Sequence, residues 1–149
     1  MAAVALLDVN VLVALFDAEH VHHELAHDWF ADERRHGWAT CAMTEAGVLR
    51  VLSHPAYGSP VSRLADLVPL LRKFCASGGH EFWADKVSLR DPQLFDLALA
   101  RGHRQVTDVY LLGLATRHGG RLATFDRTIP LSAVKGARRG TLAVISAPD

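Results

Sequence analysis

Short apolar segments alternate with longer amphipathic segments along the whole chain, and this alternation limits the fold more than any other feature. The short segments have the length and apolar character of buried strands, whereas the longer ones carry apolar residues at helical spacing. The predicted strands are residues 4–7, 38–41, 81–83, 122–125 and 141–145. The predicted helices are residues 10–17, 24–35, 44–53, 61–75, 91–100 and 107–117. We therefore expect a three-layer α/β/α sandwich with a central, mainly parallel sheet.

Local signals refine three of the predicted helices. Thr44 is a candidate N-cap for its helix. Pro69 lies inside an amphipathic segment and predicts a kink or a late restart there. Asp91 followed by Pro92 is typical of a helix start.

Length and composition indicate one globular domain. The 149 residues, half of them apolar, suffice for a single core, so we expect one domain over residues 1–149. No apolar run approaches the roughly 18 residues of a spanning helix, and no basic leader precedes Asp8. Cys41 and Cys75 form no CxxC pair and are expected to be reduced. These features favour a cytoplasmic protein without a membrane partner.

The charges are unevenly distributed although the net charge is zero. Residues 101–149 contain eight Arg or Lys against three acids, and the first hundred residues are correspondingly acidic. Such a layout predicts a local basic face that the total charge hides, or else an ordinary solvated surface.

Four acids occupy equivalent places in the predicted fold. Asp8 and Asp126 each follow a predicted strand, while Glu45 and Asp108 each lie in the first turn of a helix. In open parallel sheets, ligands bind beyond the carboxyl ends of the strands, where these positions meet. Each acid alone could equally be a helix cap or a partner of the helix dipole. Together they predict an acidic pocket.

A cluster of four carboxylates is unfavourable at neutral pH unless protons or cations neutralise it. An oxygen-only ligand set suits Mg²⁺ or Mn²⁺ rather than Zn²⁺. Such ions can activate a water molecule and stabilise the charge that develops on a phosphodiester, so no Ser or Cys nucleophile is required.

The acids lie in four sequence motifs that resemble those of the PIN domain, and more narrowly those of VapC toxins of bacterial type II toxin–antitoxin modules. The four motifs are residues 6–12, 44–52, 106–112 and 122–127. They span nearly the whole chain in the family's order. Residues 23–29 and 50–55 also resemble the mycobacterial-type branch.

This resemblance implies a Mg²⁺-dependent endoribonuclease, with Mn²⁺ as a substitute, that cuts structured RNA such as tRNA or rRNA. It also implies a cognate VapB-type antitoxin and a homodimer. Asp8 and Asp108 match the residues that most directly hold metal, and Glu45 and Asp126 match the supporting acids.

The polar neighbours Asn10 and Thr107 match residues that can orient a carboxylate or a water molecule, although a local backbone hydrogen bond would explain them equally well. One residue departs from the family pattern. Many relatives carry a polar residue, often Asn, directly after the motif glutamate, where this chain has Ala46. Another residue is therefore expected to position the carboxylate of Glu45.

Three arginines are candidate RNA contacts. Arg127 follows Asp126 and could bind phosphate or form an ion pair. Arg138 and Arg139 lie between Gly136 and Gly140 and suit an RNA-contacting loop, although a solvated loop would look the same.

Other functions compete with the nuclease. Residues 23–27 fit HExxH, so a zinc metallopeptidase with Glu24 as the base and Glu45 as a third ligand is one alternative. A haloacid dehalogenase-type phosphatase needs a second acid where this chain has Asn10. A non-catalytic RNA- or protein-binding module is the third.

Overall fold

The centre of the molecule is a five-stranded sheet in which all neighbouring strands are parallel, in a computed structural model that describes residues 2–147. The strands are β1 (Ala5–Leu7), β2 (Trp38–Cys41), β3 (His80–Trp83), β4 (Arg121–Thr124) and β5 (Leu142–Val144). They lie in the order β3-β2-β1-β4-β5, so β1 is the central strand.

Helices cover both faces of this sheet. The α-helices are α1 (Val9–Phe16), α2 (His23–Glu33), α3 (Ala42–Ser53), α4 (Leu64–Cys75) and α5 (Val106–Arg117). Short 3-10 helices are Arg34–His36, Leu97–Leu99, His103–Gln105, Leu131–Ala133 and Arg139–Thr141. No helix within residues 2–147 has both the length and the apolar character needed to cross a membrane.

The alternation of side chains along β1 divides the core into two layers. Ala5 and Leu7 are buried with apolar residues of α1, α2, α3 and α4 on one face. Leu6 is buried on the other face with the apolar residues of α5. The predicted three-layer α/β/α sandwich with a parallel sheet is therefore confirmed.

One edge of the sheet collects the ends of several elements. The carboxyl ends of parallel strands meet at the same edge, which we call the carboxyl edge. One residue separates β1 from α1, and α3 follows β2 directly. Because α5 runs back toward the start of β4, it begins at this edge too. Gly47 lets α3 approach α1 closely, since a Cβ there would lie 2.5 Å from Cγ2 of Val9.

The prediction of Thr44 as an N-cap was wrong. Helix α3 begins two residues earlier than Thr44, and Cys41 is its N-cap. Thr44 instead occupies the third helical position, where its hydroxyl accepts a hydrogen bond from the Cys41 amide at 3.0 Å. The side chain therefore serves the same helix start from inside the first turn.

The predicted helix over residues 91–100 was also wrong. The carbonyl of Asp91 accepts from the amides of Leu94 and Phe95, which closes a single turn. Beyond it, the Asp96 amide donates to Ala133, and the chain at Phe95 forms an antiparallel bridge with Val134. These tertiary backbone bonds replace the local bonds of a continuous helix.

Helix α4 begins at Leu64 rather than at residue 61 and continues through Pro69 to Cys75. Pro69 lies in the second turn of this helix, so the predicted late restart at Pro69 does not occur, and the predicted kink stays a prediction. Both Pro69 and Ala65, whose carbonyl loses its helical partner, are exposed. Water can therefore replace the missing backbone bond.

Candidate active site

Asp8 lies at the carboxyl edge, between β1 and α1, and is only 5% exposed. Oδ1 accepts a hydrogen bond from the Val9 amide at 2.7 Å, and Oδ2 accepts one from the Thr124 hydroxyl at 2.8 Å. Burial raises the pKa of Asp8 above its ordinary value, and the charge of Asp126 adds to this effect, although both hydrogen bonds oppose it. The carboxylate is therefore fixed in orientation but poorly solvated.

Asp108 lies half-buried in the first turn of α5. Burial raises its pKa from 3.8 to about 6, and the charges of Asp8 and Asp126 contribute to the shift. The three aspartates are thus close enough to repel one another. Their roles in metal binding and catalysis stay predictions.

Asp126 follows β4 and forms a hydrogen bond with Thr124, the last residue of that strand. Its amide donates to the Thr124 hydroxyl oxygen at 3.1 Å. Its Oδ1 accepts from the Thr128 amide at 2.8 Å and from the Thr128 hydroxyl at 2.6 Å. Thr124 therefore links Asp126 to Asp8, because its hydroxyl bonds to both residues.

Glu45 lies in the first turn of α3, beyond the neighbouring strand β2, and has different partners. Its Oε2 accepts a hydrogen bond from the Thr40 hydroxyl at 2.6 Å, and the same hydroxyl lies 2.8 Å from Nε2 of His80. The charge of Glu45 acts on His80 and on Cys75, whereas the charges that shift Asp8 and Asp108 come from aspartates. The carboxylate of Glu45 thus belongs to a second polar group, separate from the three aspartates.

Burial is the main influence on the pKa values of Cys75 and His80. It raises the pKa of the Cys75 thiol, and the negative charge of Glu45 raises it further. It lowers the pKa of His80, against the attraction of Glu45 and Glu81. Both groups are therefore neutral near pH 7.

The predicted neighbours of the acids are exposed. Asn10 lies in the first turn of α1, and Thr107 lies in the first turn of α5, directly before Asp108. The bonds that orient Asp8 come from Val9 and Thr124, so a role for Asn10 or Thr107 stays a prediction. Ala46 is also exposed.

The three candidate RNA-contacting arginines are all exposed. Arg127 directly follows Asp126, at the carboxyl edge. Arg138 and Arg139 lie at the short 3-10 helix Arg139–Thr141, after Gly136, which has a φ of 88°. Their contact with RNA remains a prediction.

The two histidines of the HExxH pattern are used structurally. Nδ1 of His23 lies 2.7 Å from the carbonyl of Ala14, and Nε2 of His27 lies 3.1 Å from the carbonyl of Leu15. Both imidazoles thus satisfy carbonyls in the last turn of α1. Among the described residues, no carboxylate or thiol joins the pair as a third ligand, and Glu45 has other partners.

Sequence reasoning missed Thr40, Thr124, Cys75 and His80. The two threonines carried a signal, since each is a polar residue at or near the end of an otherwise apolar strand. No comparable signal marked Cys75 or His80, because their proximity to Glu45 depends on how α4 and β3 pack beside β2.

The aspartate cluster offers only oxygen ligands. Two partly or fully buried carboxylates with raised pKa values, and a third beside them, suit a hard divalent cation that relieves their mutual repulsion. The donor set therefore fits Mg²⁺ or Mn²⁺ better than a thiophilic ion.

Comparisons with known proteins identify the family to which the chain is similar. The family model described as "PIN domain" matches residues 5–135. Ribonuclease VapC44 of Mycobacterium tuberculosis is 47% identical over 141 residues, which cover 95% of this chain and 99% of the relative. From the same organism, Ribonuclease VapC38 is 49% identical over 82% of this chain and 84% of its own length. Ribonuclease VapC39 is 42% identical over 89% of this chain and 95% of its own length.

Proposed function

Because this chain belongs to the PIN domain family, and within it to the VapC ribonucleases, we propose that it is a metal-dependent endoribonuclease and the toxin of a VapBC toxin–antitoxin pair. One observation carries the proposal. Burial, together with the charges of Asp8 and Asp126, raises the pKa of Asp108 to about 6, so three carboxylates repel one another at the carboxyl edge of the sheet.

Asp8 and Asp108 are the residues proposed to hold Mg²⁺, with Mn²⁺ as a substitute. Asp126 and Glu45 complete the acidic pocket and help to position the attacking water. When bound, the ion polarises a phosphate oxygen and lowers the pKa of a water molecule. The reaction is a hydrolysis of the RNA phosphodiester bond.

The protein's own contribution is to hold the oxygen ligands in place before RNA binds. The Val9 amide and the Thr124 hydroxyl fix both oxygens of Asp8. Thr128 donates two hydrogen bonds to Oδ1 of Asp126. Ordered ligands of this kind lose little conformational freedom when the site is filled.

The substrate proposed from the family resemblance is structured RNA, either tRNA or rRNA. Arg127 adjoins the acidic pocket, and Arg138 and Arg139 are exposed, so all three can contact phosphates without first losing a buried partner. Asn10 and Thr107, exposed in the first turns of α1 and α5, are proposed to orient a ligand or a water molecule.

The proposed partners follow from the same relationship. A VapB-type antitoxin is expected to neutralise the nuclease, and the toxin is expected to act as a homodimer in the cytoplasm. The family model covers residues 5–135, and we propose that residues 1–149 form a single PIN domain.

The test is RNA cleavage by the purified protein and its variants. We expect Asp8→Ala and Asp108→Ala to lose cleavage by orders of magnitude while remaining folded by circular dichroism. EDTA should abolish RNA cleavage by the wild type, and added Mg²⁺ or Mn²⁺ should restore the cleavage. Asp32→Ala is the matched control, because Asp32 is exposed in α2, outside the aspartate cluster.

Cleavage that persists in EDTA, or in Asp8→Ala, would refute the metal-dependent mechanism. Sequencing of RNA ends after expression of the wild type and of Asp8→Ala would identify the RNA that is cut. Loss of activity in Glu24→Gln would instead favour the zinc metallopeptidase alternative.

A further inference from the structure

A second group of ligand atoms lies around Glu45, separate from the aspartate cluster. A carboxylate oxygen of Glu45, Sγ of Cys75 and an imidazole nitrogen of His80 all lie within 4.8 Å of one another. They come from three separate elements, the start of α3, the end of α4 and the start of β3. Only Glu45 has a part in the proposed nuclease reaction.

Thr40 connects this group from the interior of β2. Its fully buried hydroxyl donates to Oε2 of Glu45 at 2.6 Å. Because that bond uses the only hydroxyl proton, the 2.8 Å contact with His80 requires the imidazole to donate from Nε2. His80 therefore carries its proton on Nε2 in this arrangement, and the Thr40 hydroxyl links His80 to Glu45.

The ligand types differ from those of the aspartate cluster. A thiol, an imidazole and a carboxylate are the protein ligands typical of Zn²⁺, and three such ligands leave a fourth position for water. Ligand atoms around one tetrahedral zinc ion lie about 3 to 4 Å apart, so the observed group needs only small side-chain rotations. All three side chains are partly exposed, so an ion can reach them.

We propose that Glu45, Cys75 and His80 form a binding site for Zn²⁺ or a similar thiophilic divalent cation, distinct from the aspartate cluster. On binding, the Cys75 thiol releases its proton to solvent. His80 changes from the Nε2–H to the Nδ1–H tautomer, which frees the lone pair of Nε2. If the proposed nuclease function holds, this site also takes the carboxylate of Glu45 away from the acidic pocket.

The experiment measures binding, so it does not depend on RNA cleavage. The full chain is equilibrated with Zn²⁺ in a large excess of Mg²⁺, which occupies the oxygen ligands, and bound zinc is measured after desalting. Co²⁺ then replaces Zn²⁺, and a thiolate-to-cobalt charge-transfer band in the near ultraviolet reports directly on a cysteine ligand. We expect one equivalent of zinc and this band in the wild type.

Two variants remove ligands from the site. Cys75→Ser keeps a hydrogen-bonding group of similar size but removes the thiolate, and His80→Ala removes the imidazole. We expect both to lose the bound zinc and the cobalt band, with unchanged circular dichroism. Asp108→Asn is expected to keep both signals, which separates this site from the proposed nuclease centre.

Matched controls are available for both residue types. Cys41→Ala removes the other cysteine, and His103→Ala removes an exposed histidine from the 3-10 helix His103–Gln105. Both should bind zinc as the wild type does. The proposal is overturned if the wild type binds no zinc under these conditions, or if folded Cys75→Ser or His80→Ala retains the cobalt band.

Discussion

The hydroxyl of Thr124 donates a hydrogen bond to Oδ2 of Asp8 across 2.8 Å, and this bond joins residues that are 116 positions apart in the chain. The contact forms because β1 and β4 are adjacent and parallel, with Leu7 opposite Ala123. It places Asp8, the residue after β1, against Thr124, the last residue of β4. The Asp126 amide donates to the same hydroxyl.

Removal of this hydroxyl should weaken the proposed metal site. In Thr124→Val the side chain keeps its shape, but Asp8 loses a hydrogen bond that holds its pKa down. Supporting hydrogen bonds of this kind contribute roughly 10- to 100-fold to metal affinity or activity. We expect RNA cleavage to fall by that factor and to recover in part at higher Mg²⁺, as a titration of initial rates would reveal.

Thr116→Val is the control for this change, because the Thr116 hydroxyl donates to a carbonyl within α5, that of Leu112, and lies outside the aspartate cluster. Equal losses in the two variants would contradict a specific role for Thr124.

The stability of the metal-free protein should fall as the pH rises toward neutrality. The folded-state pKa of Asp108, about 6, exceeds the ordinary value of 3.8, so the folded protein binds more protons than the unfolded chain between these values. The favourable contribution is complete below about pH 4 and is lost as the pH rises through about 6. The raised pKa of Asp8 acts in the same direction.

Asp108→Asn removes the carboxylate whose ionisation destabilises the folded protein at high pH. We expect its free energy of unfolding at pH 8 without metal to exceed that of the wild type by about 1 to 2 kcal/mol, after a discount for partial exposure. Urea unfolding between pH 4 and pH 8 measures the difference. An unchanged pH dependence in the variant would show that Asp108 titrates normally.

Mg²⁺ should stabilise the folded protein through the same carboxylates. A ligand that binds only the folded state adds about 2.7 kcal/mol at one hundred times its dissociation constant. We expect the melting temperature of the wild type and of Asp32→Ala to rise with Mg²⁺, and that of Asp8→Ala to remain constant. Thermal unfolding followed by circular dichroism tests this, and an equal rise in Asp8→Ala would argue against Asp8 as a ligand.

A side chain at position 113 should destabilise the fold, because Gly113 packs directly against Phe95. A Cβ there would lie 2.2 Å from two ring atoms of Phe95, in the layer between α5 and the segment that follows β3. We expect Gly113→Ala to lower the free energy of unfolding by about 1 to 3 kcal/mol through overpacking. Gly140→Ala serves as the reference in the same denaturation experiment, since a Cβ at Gly140 meets no atom of residues 2–147 within 4 Å. Similar stability in both variants would mean that the Phe95 ring moves aside freely.

The order of strands and helices was predictable because each element carries its own periodicity. Residues 4–7 and 38–41 are short apolar runs, and they form β1 and β2 within one residue of the predicted bounds. Local sequence patterns gave a wrong prediction where tertiary backbone hydrogen bonds compete with those of a helix. The segment 91–100 has a good helix start at Asp91, yet its backbone pairs with residues near Val134 after one turn.

The candidate site likewise contains residues that the local sequence predicted and contacts that it did not. The chain itself placed Asp8, Glu45, Asp108 and Asp126 at strand ends and helix starts, because these positions depend only on local spacing and on the rule that parallel strands end at one edge. Tertiary structure alone decided which side chains meet them. Thr124 reaches Asp8 through the pairing of β1 with β4, and Cys75 and His80 reach Glu45 through the packing of α4 and β3 beside β2. Such contacts depend on distances between elements, and the periodicity within a single element carries no information about those distances.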